Sequence, residues 1–225
     1  MAIDRAQARA ATRKLVRKSL AAGEPYAWNE TLYRKAGRRP EAIPWAECVP
    51  NPNLESWLAG RDLAGYGKDA VVIGCGLGDD AELLGRAGFR VTAFDVSPTA
   101  IEWCRERFPR SQVDYRVADL FAPPQEWAAG FGFVLESYTL QTFPAASRQK
   151  AMRAIASLVA PDGSLLVIAR GRNSDEPEGE FPWPLTKGAL DALEGAGLLE
   201  VSFEDFTDTE VPPVRRFRVE YLRSP

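Results

Sequence analysis

The sequence predicts an α/β fold: an open, mostly parallel, seven-stranded sheet with helices on both faces, the last strand antiparallel, and an N-terminal helical cover. Three observations carry this. From Ala70 onwards short apolar runs alternate with amphipathic stretches, the pattern of repeated strand–helix units. The first run, "AVVIG", is continuously apolar, as a strand buried on both faces of a parallel sheet must be. It leads into "CGLGDD", a glycine-rich turn that opens a helix. At 225 residues one domain is expected, residues 1–60 forming the cover and 68–225 the core.

Residues 1–20 carry six Lys or Arg against one acid, Asp4, and predict a helix with a solvated basic face. A second basic cluster, Arg34 to Arg39, leads into "IPWAECVPNPNLESWL", whose prolines predict an extended connector. Leu54, Trp57 and Leu58 then return at helical spacing. After the first strand, Asp79 to Ala87 should be a helix closed by Gly88, and "FRVTAFDV" the second strand. Ser97 can cap a helix that has Pro98 in its first turn and runs towards Phe108. "VDYRVADL" and "GFVLES" read as strands, Gln149 to Val159 as a helix, and "PDGSLLVIAR" as a turn and fifth strand. The loop Gly171 to Pro184 is longer than a connection needs and reads as a lid. A helix from Leu185 to Ala196, a strand from Leu199 to Phe206 and the strand "RRFRVEYL" complete the chain.

Composition removes whole classes of function. A net charge of −3 gives no general attraction to nucleic acid or to anionic membrane, so neither is an expected partner. No apolar run approaches the roughly 20 residues of a bilayer-spanning helix, and the N-terminus shows no apolar secretory segment. Cys48, Cys75 and Cys104 lie far apart, which suggests neither disulfides nor a zinc site; a cytoplasmic monomer or weak dimer is expected. There is no histidine, so a Ser–His–Asp hydrolase and a His-ligated metal are excluded, and no metal is expected.

The nucleotide is read from the glycines. Gly74, Gly76 and Gly78 are spaced G-x-G-x-G around the small Cys75, and Asp79 takes the place of the third dinucleotide-fingerprint glycine. Two carboxylates, Asp79 and Asp80, open the helix; they suit its dipole but would repel a pyrophosphate. An adenosyl ligand with an ammonium and a sulfonium would be attracted, which points to S-adenosylmethionine. Asp95 ends the second strand, beside Val96, where an acid accepts both ribose hydroxyls in either cofactor class. Asp119 ends the third, beside Leu120, where an acceptor can meet an adenine amino group.

Residues 68–170 resemble the class I, Rossmann-like S-adenosylmethionine-dependent methyltransferases. Within that class, "IPWAECVPNPNL" resembles the P-W-D-x-G-x-P-x-P segment of the thiopurine S-methyltransferase and thiol and halide methyltransferase group. "GCGLGDDAELL" is similar to its G-C-G-x-G-Y-D, with Asp80 matching the acid, and "DVSPTAIE" to its D-x-S-P-x-A-I-E. Ala46 and Val49 depart from the usual Asp and Gly, and "LESYTLQTFP" departs from the D-Y-T-F-x-x-A-L type. The resemblance implies a cofactor held by Trp45, Gly74, Cys75, Gly76, Gly78, Asp80, Asp95, Val96, Asp119, Leu120 and Glu136, with the tryptophan segment closing over it.

The remaining candidates follow the fourth and fifth strands. Glu136 either holds substrate, acts as a base with a pKa raised by burial, or caps the next segment; Tyr138 is the second base and a substrate contact. Arg170 and Arg172 either grip an anionic substrate or are solvated, and Phe181 and Trp183 either wall a pocket or pack. Trp45, ahead of Trp28, suits a cation–π contact with a sulfonium. Arg215 and Arg216 read as exposed strand positions, and Cys104 as core. The expected reaction is direct in-line methylation of a small molecule, with a thiol or other soft nucleophile favoured. The alternatives are an O- or N-acceptor served by Glu136 or Tyr138, a nicotinamide oxidoreductase, and a non-catalytic S-adenosylmethionine-binding module.

Overall fold

The structure, a computed structural model, describes residues 5–59, 67–210 and 212–225. Its strands are β1 (Asp69–Ile73), β2 (Arg90–Asp95), β3 (Asp114–Val117), β4 (Phe131–Ser137), β5 (Val159–Arg170), β6 (Leu198–Thr207) and β7 (Arg215–Arg223). They form one seven-stranded sheet in the order β3-β2-β1-β4-β5-β7-β6. β1 pairs parallel with β2 and β4, and these pair parallel with β3 and β5. β7 alone runs against its neighbours, β5 and β6. This is the predicted architecture. Strand order reverses between β1 and β4, which opens a crevice at their carboxyl ends.

Strand pleat explains the continuous apolar runs. Val71 and Ile73 join a core with α6 (Ala145–Leu158) and α7 (Lys187–Glu194) on one face. Ala70 and Val72 point the other way, into a core with α3 (Pro52–Ala59), α4 (Asp79–Arg86) and α5 (Pro98–Arg107). Trp57 of α3 stacks on Phe133 of β4, ring centres 5.3 Å apart. Such a side chain contributes about 1.5–3 kcal/mol through burial. Ser97 caps α5 as predicted, its hydroxyl accepting the Ala100 N–H at 3.1 Å. α6 starts four residues before the predicted Gln149, because Pro144 stands at the N-cap and its carbonyl accepts the Arg148 N–H at 3.1 Å. α7 starts later than predicted: the Leu185 N–H bonds back to the Arg170 carbonyl at 2.8 Å, and Thr186 is the cap.

The cover comprises α1 (Arg5–Ala21), α2 (Trp28–Ala36) and a connector that stays non-helical from Ile43 to Asn51. Val16, Trp28, Leu32, Tyr33 and Ile43 pack on Leu77, on Ala100 and Trp103 of α5, and on Phe181. The seam expected between cover and core falls largely on residues 60–66, outside the described residues, as does Asp4. The long loop after β5 is tied on both sides. Trp183 N–H donates to the Gln141 carbonyl at 2.8 Å, Arg13 Nε to the Phe181 carbonyl at 3.0 Å, and Arg148 pairs with Glu178 at 2.8 Å. Among the described residues no helix is long and apolar enough to cross a membrane.

Candidate active site

At the carboxyl end of β1 the chain turns through Gly74, Gly76 and Gly78, all in the left-handed region. A Cβ on Gly74 would lie 2.5 Å from Thr139 Oγ1, and one on Gly78 2.5 Å from the Tyr115 hydroxyl. The glycines therefore let the loop pass beneath the β4 exit and α4 start against β3. Gly78 caps α4 and does not line the cavity above the loop, so its role is packing.

That cavity, of about 460 Å³, is lined by cover and core together. It brings Trp45, Gly74, Cys75, Gly76, Asp80, Asp95, Val96, Asp119, Leu120, Tyr138 and Arg170 to one place. Asp95 is 6% exposed. Its two oxygens accept the N–H groups of Gly76 at 3.1 Å and Ser97 at 2.9 Å, and burial pushes its pKa up to about 6. Burial likewise raises Asp80 to about 6. Asp119 accepts the Phe121 N–H at 2.8 Å. Trp45 is 39% exposed and stands edge-on to the buried Trp28 at 6.1 Å, and its indole N–H donates to the Tyr33 hydroxyl at 3.3 Å. Trp28 lines the same cavity, and its own indole N–H has no acceptor among the described residues.

Several expectations are corrected. Asp79 does not leave a free charge at the α4 start: Arg107 holds both its oxygens at 2.8 Å, so of the two carboxylates only Asp80 has no ion pair among the described residues. Asp80 also anchors the connector, accepting the Asn51 N–H at 2.7 Å. Glu136 is fully buried and lies outside the cavity lining. One oxygen accepts the N–H groups of Thr139 at 2.6 Å and Leu140 at 2.7 Å, the other has no partner among the described residues, and burial raises the pKa to about 7. In this geometry Glu136 caps the turn that follows β4. Arg172 is spent on the carbonyls of Pro184, Asn173 and Glu176, and Trp183 packs edge-on against Phe181; neither lines the cavity, whereas Phe181 does.

Arg216 was expected on the surface and is 2% exposed. It lines the cavity, pairs with Asp208 at 2.6 Å and with Glu210, and lies 4.6 Å over the Tyr138 ring. Asn51, Asn53, Tyr33 and Arg9 are further lining residues that the reading of single positions missed. Asn51 Nδ2 donates to Ser137 Oγ at 3.0 Å and Asn53 Nδ2 to the Tyr138 hydroxyl at 3.1 Å. Asn51 ends the connector and Asn53 stands in the first turn of α3, where the Asn51 side chain also accepts the Asn53 N–H at 3.0 Å, so the sequence offers a local capping role for Asn51 and no separate signal of the contacts across to β4.

Comparison with known proteins follows this geometry. Residues 70–163, which hold β1, the glycine loop, Asp95, Asp119 and the β4 exit, match the family described as "Methyltransferase domain". This match covers less than half of the chain. The ubiquinone biosynthesis O-methyltransferases of Xanthomonas axonopodis pv. citri and Xanthomonas campestris pv. campestris are each 32% identical over 124 residues, 54% of this chain and 51% of theirs. The chain thus matches about half the length of these curated relatives. The fold is shared with the N-methyltransferase NodS of Bradyrhizobium japonicum bound to S-adenosyl-L-homocysteine (TM-score 0.69, 18% identity, 87% of this chain and 97% of that one). It is shared too with the 1,6-didemethyltoxoflavin-N1-methyltransferase of Burkholderia thailandensis (TM-score 0.62, 17% identity, 96% and 89%).

The lining of this cavity fits S-adenosylmethionine. It offers an acid end in Asp80 and Asp95, a glycine turn that admits close backbone approach, and the unmet indole N–H of Trp28 as a donor.

Proposed function

We propose that this protein methylates a small molecule from S-adenosylmethionine, with a thiol or other soft nucleophile as acceptor, in the manner of the thiopurine, thiol and halide group it resembles. The single observation behind this is the position of Glu136, sealed off from the cavity by its bonds to Thr139 and Leu140. A carboxylate so placed is poorly sited for base catalysis, which supports an acceptor that ionises by itself.

In this reading Asp95 accepts the ribose hydroxyls, Asp119 and Leu120 border the adenine, and Gly74, Cys75, Gly76 and Val96 shape the nucleoside site. Trp45 and Trp28 present ring faces to the donor's positive charge, an attraction of about 1–2 kcal/mol when desolvated. When bound, S-adenosylmethionine supplies a methyl group on a sulfonium, which an acceptor lone pair takes in line as the thioether departs. The chain's own contribution is alignment and exclusion of water, through the aromatic cover and the Asn51 and Asn53 clasp. The free thiols at Cys48, Cys75 and Cys104 support a reducing, cytoplasmic setting. We also propose a single functional unit over residues 1–225, acting as a monomer or weak dimer without nucleic acid.

A phenol acceptor is the second reading, favoured by the O-methyltransferase name of the 32% identical relatives. Tyr138, which lines the cavity, is then the one candidate base. Transfer of labelled methyl to thiols, halides, metalloid anions and phenols tests both: label in a thiol or another soft acceptor supports the first, label in phenols alone the second, and label in none overturns both.

A further inference from the structure

The cavity has a second end whose charge is opposite to that of Asp80 and Asp95. Arg170 closes β5 and is the cross-strand partner of Arg216 on β7; Arg9 reaches the same cavity from α1. Arg216 is neutralised by Asp208 and Glu210, and Arg13, the fourth arginine of the lining, by Glu180 at 2.6 Å. The guanidinium groups of Arg170 and Arg9 have no such partner among the described residues. Burial first, then repulsion from Arg216 and Arg9, disfavours the charge on Arg170, and attraction by Glu210 offsets this only in part. Guanidinium keeps its charge under such pressure, so the arrangement is unfavourable until an anion joins it.

We propose that this end of the cavity takes a carboxylate of the methyl acceptor, held by Arg170 and Arg9, so that the substrate is a small organic acid bearing its nucleophile elsewhere. The charge layout carries the inference. Acids gather where a cationic donor would lie and two unmatched arginines where an acceptor would enter, and a planar carboxylate fits the donor fork of a guanidinium. The inference rests on the methyltransferase reading for the term "acceptor" but not for the anion site itself.

The test is calorimetric titration of the full chain, with and without S-adenosylhomocysteine, using two matched pairs: thiosalicylate against its neutral amide, and 4-hydroxybenzoate against its amide. Each acid is expected to bind at least tenfold more tightly than its amide. Arg170→Gln and Arg9→Gln should erase that preference while amide and S-adenosylhomocysteine affinities stay within about twofold, and Arg170→Lys should retain part of it. Acids binding no better than amides would overturn the proposal. So would Arg170→Gln weakening S-adenosylhomocysteine instead, which would assign the arginine to the donor's own carboxylate. Absence of S-adenosylhomocysteine binding would sink the methyltransferase reading, and the acid–amide comparison on the chain alone would still decide the anion site.

Discussion

Asp95 and Glu136 both sit at the carboxyl ends of central strands, yet one lines the cavity and the other is shut away beneath it. Glu136 lies two residues beyond Val134, so strand alternation turns its side chain inward, where it receives the N–H groups of the following turn. Glu136→Gln keeps that acceptor and should leave turnover within about threefold, whereas loss of general-base help would cost about 10²–10⁴-fold. Glu136→Ala leaves two buried N–H groups unmet and should lower stability by about 1–3 kcal/mol in a denaturant titration. Asp95 supplies a pH prediction. Its pKa in the free protein is raised to about 6 by burial, so below pH 6 it is protonated and must release that proton to accept two hydroxyls. Affinity for S-adenosylhomocysteine should be flat above pH 7 and fall as pH drops through 6, by up to about tenfold per pH unit for this group. Titration calorimetry from pH 5 to 8 checks it. Asp95 was legible in the sequence because a strand end fixes its place. Arg216 was not: its burial depends on Asp208 and Glu210, which reach it only once the β6–β7 hairpin has formed.

The elements were legible where one pattern dominated. β1 and β5 are apolar on both faces, and Ser97–Pro98 announces α5 with a cap and a first-turn proline. What the sequence left open was how the connector meets the core, because that meeting is made by side-chain hydrogen bonds between segments far apart in the chain. The observed clasp has three strands of contact: Asn51 N–H on Asp80, Asn51 Nδ2 on Ser137, and Asn53 Nδ2 on Tyr138. Asp80→Ala removes the charged member of the clasp. It should speed proteolysis within residues 44–52 at least severalfold and weaken S-adenosylhomocysteine binding, with little change in the circular dichroism of the sheet. An unchanged proteolysis rate would show that Trp28, Leu32 and Ile43 alone hold the cover in place.

Seen as a whole, the molecule is a sheet whose strand order opens a crevice and a cover whose aromatic side chains complete its walls. A ligand there touches both parts, so binding should stabilise the entire chain. At a hundredfold excess over Kd, S-adenosylhomocysteine adds about 2.7 kcal/mol. At about 2–4 °C per kcal/mol for a domain of this size, Tm should rise by roughly 5–10 °C in a thermal scan. The charge inventory belongs to this scale as well. Arg107 cancels Asp79 and Asp208 cancels Arg216, and what remains is an acid end and an arginine end of one cavity.

The central claim is that an S-adenosyl ligand sits in this cavity with its ribose on Asp95, and one calorimetric comparison tests it. Wild type should bind S-adenosylhomocysteine and not NAD. Asp95→Ala, shown to be folded by circular dichroism, should bind at least tenfold more weakly, from the loss of charge-assisted hydrogen bonds worth about 1.5–3 kcal/mol. Equal affinity in the folded variant, or binding of NAD with no binding of S-adenosylhomocysteine, would contradict the account.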